Sequence, residues 1–226
     1  MKLLKRIAAT LPPLWQNELK RIHFRRQMRR GTFVTPEPEY AILQTLISAG
    51  DWVIDVGANV GHYTKRLSEL VGPTGRVIAF EPVPETFALL AGNLQVFQNA
   101  NVTLINAAVS DSTNLVGMSI PAFDTGLHNF YQAHLSDSSD SSLQVLTLCL
   151  NSLNLTHKIT LIKIDAEGHE AGVLRGMHQI LIRDKPTLIV ETNSTEIEDN
   201  LQRIGYTPER LDGSPNVLFR AKGSDR

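Results

Sequence analysis

The stretch Trp52-Val-Ile-Asp-Val-Gly-Ala-Asn-Val-Gly61 decides the fold. Trp52, Val53, Ile54 and Val56 make a short apolar run of the kind that forms a strand buried on both faces of a parallel sheet. Gly57 and Gly61 bracket a tight turn into an amphipathic stretch, so the segment predicts a strand, a glycine loop and a helix start. Such a junction is expected to aim backbone N–H groups and the positive end of the helix dipole into the loop, where the polar part of a nucleotide-like ligand sits. Gly57 lets that ligand approach the backbone.

The spacing narrows the ligand. A dinucleotide-binding G-x-G-x-x-G beginning at Gly57 needs glycines at 59 and 62, where the chain has Asn59 and His62, which disfavours a pyrophosphate and with it a nicotinamide-dependent reductase. Asp55 is expected at the mouth of the loop, where a carboxylate repels phosphate and suits the sulfonium of S-adenosylmethionine. Glu81 closes the next apolar run, Arg76-Val-Ile-Ala-Phe-Glu, where a strand-end acid accepts hydrogen bonds from a ribose diol.

Outward from this centre, Thr35-Pro36 reads as a helix cap and first turn, followed by Leu43, Leu46 and Ile47 at helical spacing. Tyr63, Leu67, Leu70 and Val71 mark the helix after the loop, and Phe87, Leu90, Leu94 and Phe97 the helix after Glu81. Val102 to Asn106 is a third strand, Thr160 to Asp165 a fourth and Pro186 to Glu191 a fifth. Val173, Leu174, Met177, Ile180 and Leu181 form the helix between the last two. Gly205-Tyr206 and Asn216 to Ala221 close the chain as an antiparallel pair around Asp212-Gly213. Strands alternating with helices in this rhythm predict an α/β fold with a seven-stranded, mostly parallel sheet and an antiparallel C-terminal hairpin.

Residues 110–142 break the rhythm. They are polar and turn-rich, and are expected to form an acceptor loop carrying Phe123, His128, Phe130 and Tyr131, with Leu115–Ile120 and Leu143–Leu150 pairing at its base.

The 226 residues suit one α/β domain, residues 35–226, with a basic helical arm over residues 1–34. No apolar run reaches the roughly 18 residues of a membrane span. The N-terminal apolar segment is short and ends in Pro12-Pro13, a poor signal peptide, so a cytoplasmic protein is expected. A single cysteine, Cys149, excludes an internal disulfide and a cysteine-rich zinc site, and its place in an alternating run predicts a buried structural thiol.

Charge is segregated: residues 1–30 hold nine Lys/Arg and the single acid Glu18, a net of +8, so the total of −1 leaves −9 on the rest. Trp15, Leu19 and Ile22 recur at spacings of four and three on this basic helix, with Phe24 off the row. The helix either packs on a domain with its arginines solvated, or serves as a lid or arm toward an acidic substrate, a membrane surface or nucleic acid. No nucleic-acid partner is expected, because the Asn/Asp-Pro-Pro-aromatic stretch of base-amine methylation is absent.

Asp55, Glu81, Asn106, Asp165 and Glu191 all stand at strand ends, so they are expected to converge on one crevice beyond the carboxyl edge of the sheet. Ile54-Asp-Val-Gly-Ala-Asn-Val-Gly, Phe80-Glu-Pro and above all Ile162-Lys-Ile-Asp-Ala-Glu-Gly-His-Glu with Val173-Leu-Arg-Gly176 resemble the FkbM-type family of S-adenosylmethionine-dependent methyltransferases. The resemblance covers roughly residues 35–221 and departs at Asn151, where members commonly carry aspartate.

It implies a Rossmann-like class I methyltransferase fold and methyl transfer to a hydroxyl of a sugar, polyketide or other small metabolite. It also implies that Gly57, Ala58, Asn59 and Gly61 wrap the methionyl part of the cofactor, that Glu81 holds the ribose and that Asn106 and Ala107 meet the adenine, with Asp55 acting electrostatically behind the loop. The candidates for activating the acceptor are Asp165, Glu167, His169, Glu191 and Asn193. His169 has the near-neutral titration wanted of a general base. Asp165, Glu191 and Asn193 offer hard oxygen ligands to a Mg²⁺ ion, the alternative being that Asp165 contacts cofactor or substrate and Glu191 the backbone. Lys163 lies on the same strand face as Asp165 and is expected to pair with it. A non-catalytic module binding a nucleotide-like metabolite through the same loop is the competing reading.

Overall fold

Seven strands form the central sheet of the computed structural model, which describes residues 12–121, 132–136 and 143–223. In chain order they are β1 (Trp52–Val56), β2 (Arg76–Phe80), β3 (Val102–Ile105), β8 (Ile159–Ile164), β9 (Thr187–Glu191), β10 (Tyr206–Arg210) and β11 (Asn216–Ala221). Their spatial order is β10-β11-β9-β8-β1-β2-β3, with β11 antiparallel to both neighbours and the remaining pairs parallel. The order reverses at β1, the switch point where open α/β sheets bind ligands.

Helices cover both faces, which is why β1, β2, β8 and β9 read as continuous apolar runs. Ile54, Ile78, Ile162 and Leu188 face one layer of core; Val53, Val77, Leu161 and Ile189 face the other. Five helices do most of the covering: α2 (Pro38–Leu46), α3 (His62–Val71), α4 (Pro84–Leu94), α6 (His178–Asp184) and α7 (Thr195–Arg203). A short helix α5 (Glu170–Gly176) follows β8, and the chain breaks at Met177 before α6, where one continuous helix was expected. α2 starts at Pro38 with Glu37 as its cap, so the Thr35-Pro36 start is corrected; the Thr35 hydroxyl accepts instead from the Glu37 N–H.

The described residues of the 110–142 insertion include paired strands. β5 (Leu115–Ser119) pairs antiparallel with β7 (Leu143–Leu148), as expected for the base of the insertion, and a second sheet of order β4-β7-β5-β6 adds β4 (Ala108–Val109) and β6 (His134–Ser136). The period-two pattern of β7 buries Val145 and Thr147 on one side. Phe123, His128, Phe130 and Tyr131 lie outside the described residues. Cys149 sits past β7, half-buried rather than buried, and donates to the Gly176 carbonyl at 3.2 Å.

The basic segment forms α1 (Pro13–Arg29), packed along α4. The face it buries is not the row of Trp15, Leu19 and Ile22. Phe24 and Met28, one turn apart, pack with Phe33, Val60 and Leu89, while Trp15, Leu19 and Ile22 face solvent. Phe33 stacks on His62 at 4.1 Å, which ties the segment to the first residue of α3. Among the described residues no helix is long and apolar enough to cross a membrane.

Candidate functional site

A cleft opens at the carboxyl ends of β1, β2 and β8. Its floor is made by Gly57, Asn59, Glu81 and Asp165, one flank by Glu167 and His169, and its apolar wall by Val83, Ala107, Ala108 and Val109 with Met118, Ala133 and Leu135 from the second sheet. The insertion therefore closes the cleft with a sheet face.

The glycine loop is built differently from a phosphate cradle. Gly57 and Ala58 donate their N–H groups to the Phe80 carbonyl at 3.0 and 2.9 Å, Gly61 donates to Ala58, and Asn59 donates to Glu81 Oε2 at 2.8 Å. These four amides are engaged within the protein, which corrects the expectation of N–H groups aimed at a ligand. The turn needs its glycines for sterics. At Gly57, φ is +77° and a Cβ would overlap the carbonyl oxygen of Asp165; at Gly61, φ is +98° and a Cβ would meet Leu90. Asn59 holds φ +49° without being glycine, a local strain that the Glu81 contact helps to hold.

Glu81 accepts from both Asn59 N–H and, at 2.9 Å, Val83 N–H. Burial nevertheless pushes its carboxyl up to about 7, because two amide bonds offset only part of the lost hydration. Each carboxylate oxygen keeps a lone pair, which is what a vicinal diol requires.

Asp55 is not at the mouth of the loop. It is 1% exposed beneath α3, where its Oδ2 accepts from the Thr64 hydroxyl at 2.6 Å. Its neighbour across the β1–β8 ladder is Lys163, also buried, whose ammonium lies over the Tyr63 ring and 3.2 Å from Asp165 Oδ2. The predicted Lys163–Asp165 pair is thus present, and the Lys163 charge also acts on Asp55 and Glu191. Burial drives Asp55 up to about 6 against the opposing Thr64 and Lys163 contributions. Burial, then the charge and hydrogen bond of Asp165, drive Glu191 up to about 7.

That arrangement does not suit a divalent ion. Burial and the neighbouring Asp165 favour the protonated form of Glu191, Asp165 is turned to an ammonium, Asn193 is exposed, and no cluster of three His, Cys, Asp or Glu with ligand geometry occurs among the described residues.

His169 caps α5 from the edge of the cleft, its Nε2 2.9 Å from the Ser110 hydroxyl. Gly172, one turn on, makes this possible: a Cβ there would overlap the imidazole. The loop carrying His169 is held by Glu170, 7% exposed, whose Oε1 accepts from Ala166 N–H at 3.1 Å and Gly168 N–H at 3.0 Å. Glu167 at the tip adopts φ +48°, and burial followed by repulsion from Asp165 and Glu170 raises its pKa.

Of the strand-end residues, then, Glu81 and Asp165 line the cleft while Asp55 lies under it and Glu191 beside Asp165. Asn106 is exposed and turns its amide onto the carbonyls of Glu81 and Pro82 at 2.8 and 3.0 Å; Ala107 lines the apolar wall. Ser110, Gly172 and the apolar trio Met118, Ala133 and Leu135 were missed. A glycine one turn after a histidine in a helical segment was the available signal for His169's environment; no local pattern marks Ser110. Asn151, where the resemblance fails, accepts from the Gln179 N–H at 3.2 Å near the start of α6.

A family model described as the methyltransferase FkbM domain matches residues 55–209. Among curated proteins, the chain is 28% identical over 134 residues to the hexuronic acid methyltransferase AglP of Haloferax volcanii, covering 58% of this chain and 52% of that protein. The match thus spans about half the length of that relative. Among solved structures, the fold is similar to the methyltransferase FkbM of Methylobacillus flagellatus KT, with a TM-score of 0.57 and 18% identity over 81% of this chain and 50% of that one. A putative rRNA methylase of Clostridium thermocellum aligns with a TM-score of 0.50 and 14% identity over 79% of this chain and 89% of that one, a likeness of fold.

Proposed function

Because the chain belongs to the FkbM methyltransferase family, we propose that it transfers the methyl group of S-adenosylmethionine to a hydroxyl oxygen of a small acceptor, a sugar in the first instance. The observation that carries this reading is the chemistry of the cleft floor. Its loop amides are engaged internally, carboxylates face the opening and an apolar wall stands opposite, so it suits a cationic donor with a ribose diol and a flat base rather than a phosphorylated one. The identity to a hexuronic acid methyltransferase supports a sugar acceptor.

When bound, the donor supplies a methyl group on a sulfonium leaving group. Glu81 accepts the ribose hydroxyls, its position set by Asn59 and Val83. Gly57, Asn59 and Asp165 on the cleft floor would hold the methionyl portion, and Ala107, Met118 and Leu135 on the apolar wall would hold the adenine. His169, positioned by the Ser110 hydroxyl at its Nε2, takes the proton from the acceptor hydroxyl, and positioning of that oxygen supplies much of the rate. Asp165, charge-balanced by Lys163, orients the acceptor without a metal.

The test is a donor-consumption assay against a panel of hydroxylated acceptors, uronic acids included, with product mass identifying the modified atom. Turnover with a mass gain of one methyl on oxygen is expected. Tight donor binding with no turnover on any acceptor supports the non-catalytic module instead.

A further inference from the structure

The outward face of α1 is unlike the rest of the surface. Trp15 is 66% exposed, Leu19 47% and Ile22 62%, and their spacing of four and three puts them in one row along the helix. Arg26 and Arg29 continue that row, and Arg30 stands beside it; all three are exposed. The face is therefore apolar in its first half and cationic in its second. The one acid on the helix, Glu18, is held by Arg21 at 2.5 Å. The opposite face is committed to the protein through Phe24 and Met28, so the helix cannot roll to bury the row without losing that contact.

We propose that this face of α1 docks on the surface of an anionic lipid bilayer. An exposed tryptophan with two aliphatic side chains inserts at the boundary of headgroups and acyl chains, and an adjoining arginine cluster pairs with lipid phosphates. The complement is one of charge. A second copy meeting this one in parallel would bring two sets of Arg26, Arg29 and Arg30 together, which repel, and an antiparallel one would set each arginine cluster against Trp15, Leu19 and Ile22, which carry no counter-charge. The contact proposed is a surface one, made by the side chains of this row rather than by a spanning helix. α1 packs on α4, which begins two residues after the cleft residue Pro82, so docking would hold the cleft close to the bilayer. The proposal stands on the helix alone and does not depend on the methyl-transfer reading.

Flotation of the full chain with vesicles of phosphatidylcholine alone, or mixed with phosphatidylglycerol, tests it. The chain should float with the mixed vesicles only. Replacing Arg26, Arg29 and Arg30 by glutamine together should weaken binding about a hundredfold. Trp15→Ala should weaken it about tenfold and abolish a vesicle-induced blue shift of tryptophan fluorescence, leaving only Trp52. These side chains are exposed, so melting temperatures should match the wild type and a loss of binding reads on the face. Equal binding to neutral vesicles, or unchanged binding by the Trp15 variant, overturns the proposal. So does a wild-type dimer that Trp15→Ala converts to monomer, or tighter binding to an RNA oligonucleotide than to anionic vesicles.

Discussion

The backbone N–H of Asn59 donates to Oε2 of Glu81 at 2.8 Å, joining the loop after β1 to the acid after β2 as one unit. Glu81 is thus both a structural acceptor and the residue best placed to meet a ribose. Its carboxyl is pushed up to about 7 by burial, from an ordinary 4.5, so the folded state favours the protonated form. The stability this contributes is present below about 4.5 and lost as pH rises through about 7. Between pH 5 and 8 the wild type should lose about 5 °C more of its melting temperature than Glu81→Gln, which has nothing to ionise there. Asp55, raised to about 6, adds a similar slope. Parallel melting curves for wild type and Glu81→Gln would remove the argument.

The fold was legible because its signals are local. A buried parallel strand announces itself as an apolar run, and Gly57 and Gly61 occupy positions where φ is positive. What was not legible depends on which partner a polar group finds across the sheet. Asp55 reads as a loop-mouth acid, yet β1 points it at Thr64 and Lys163 on the core side. Trp15, Leu19 and Ile22 are the row that helical spacing picks out, but burial went to Phe24 and Met28, whose neighbour Phe33 is brought close by a turn after the helix. Ser110 meets His169 across 59 positions of sequence, a contact no spacing rule anticipates.

Glu170 holds the segment that bears Glu167 and His169 by accepting from the Ala166 and Gly168 amides. Glu170→Ala leaves two amides without their acceptor and should cost about 2 kcal/mol, seen as a lower urea midpoint. It should also raise KM more than it lowers kcat. Glu170→Gln keeps a side-chain oxygen for the same amides and should restore most of both. If the alanine variant is as stable as wild type, the motif's last acid is not the tie described.

Lys163 balances the acids around it. Lys163→Met leaves Asp55 and Asp165 without their cation and should destabilise the protein by about 3 kcal/mol, the lower end for a buried pair broken on one side, since Asp165 is partly solvated. The loss should be larger at pH 8 than at pH 5, because protonation relieves the stranded acids. Since the ammonium already occupies the cation's place, stripping divalent ions with a chelator should leave methyl transfer unchanged. Metal-dependent turnover would show that Asp165 and Glu191 rearrange to bind an ion.

Gly172 is the least conspicuous residue of the site and gives the sharpest test of His169. A Cβ at 172 would overlap the imidazole, so Gly172→Ala should push His169 away from Ser110 while sparing the fold, alanine being a better helix former than glycine by about 1 kcal/mol. If His169 takes the acceptor proton, kcat for Gly172→Ala should fall between about 10²- and 10⁴-fold, as for His169→Ala, with donor affinity close to wild type. Combining the two substitutions should cost no more than either alone, because both remove the same group from the same place. Additive losses, or a His169→Ala variant with wild-type turnover across neutral pH, would move the base elsewhere, with Glu167 on the same flank of the cleft the next candidate.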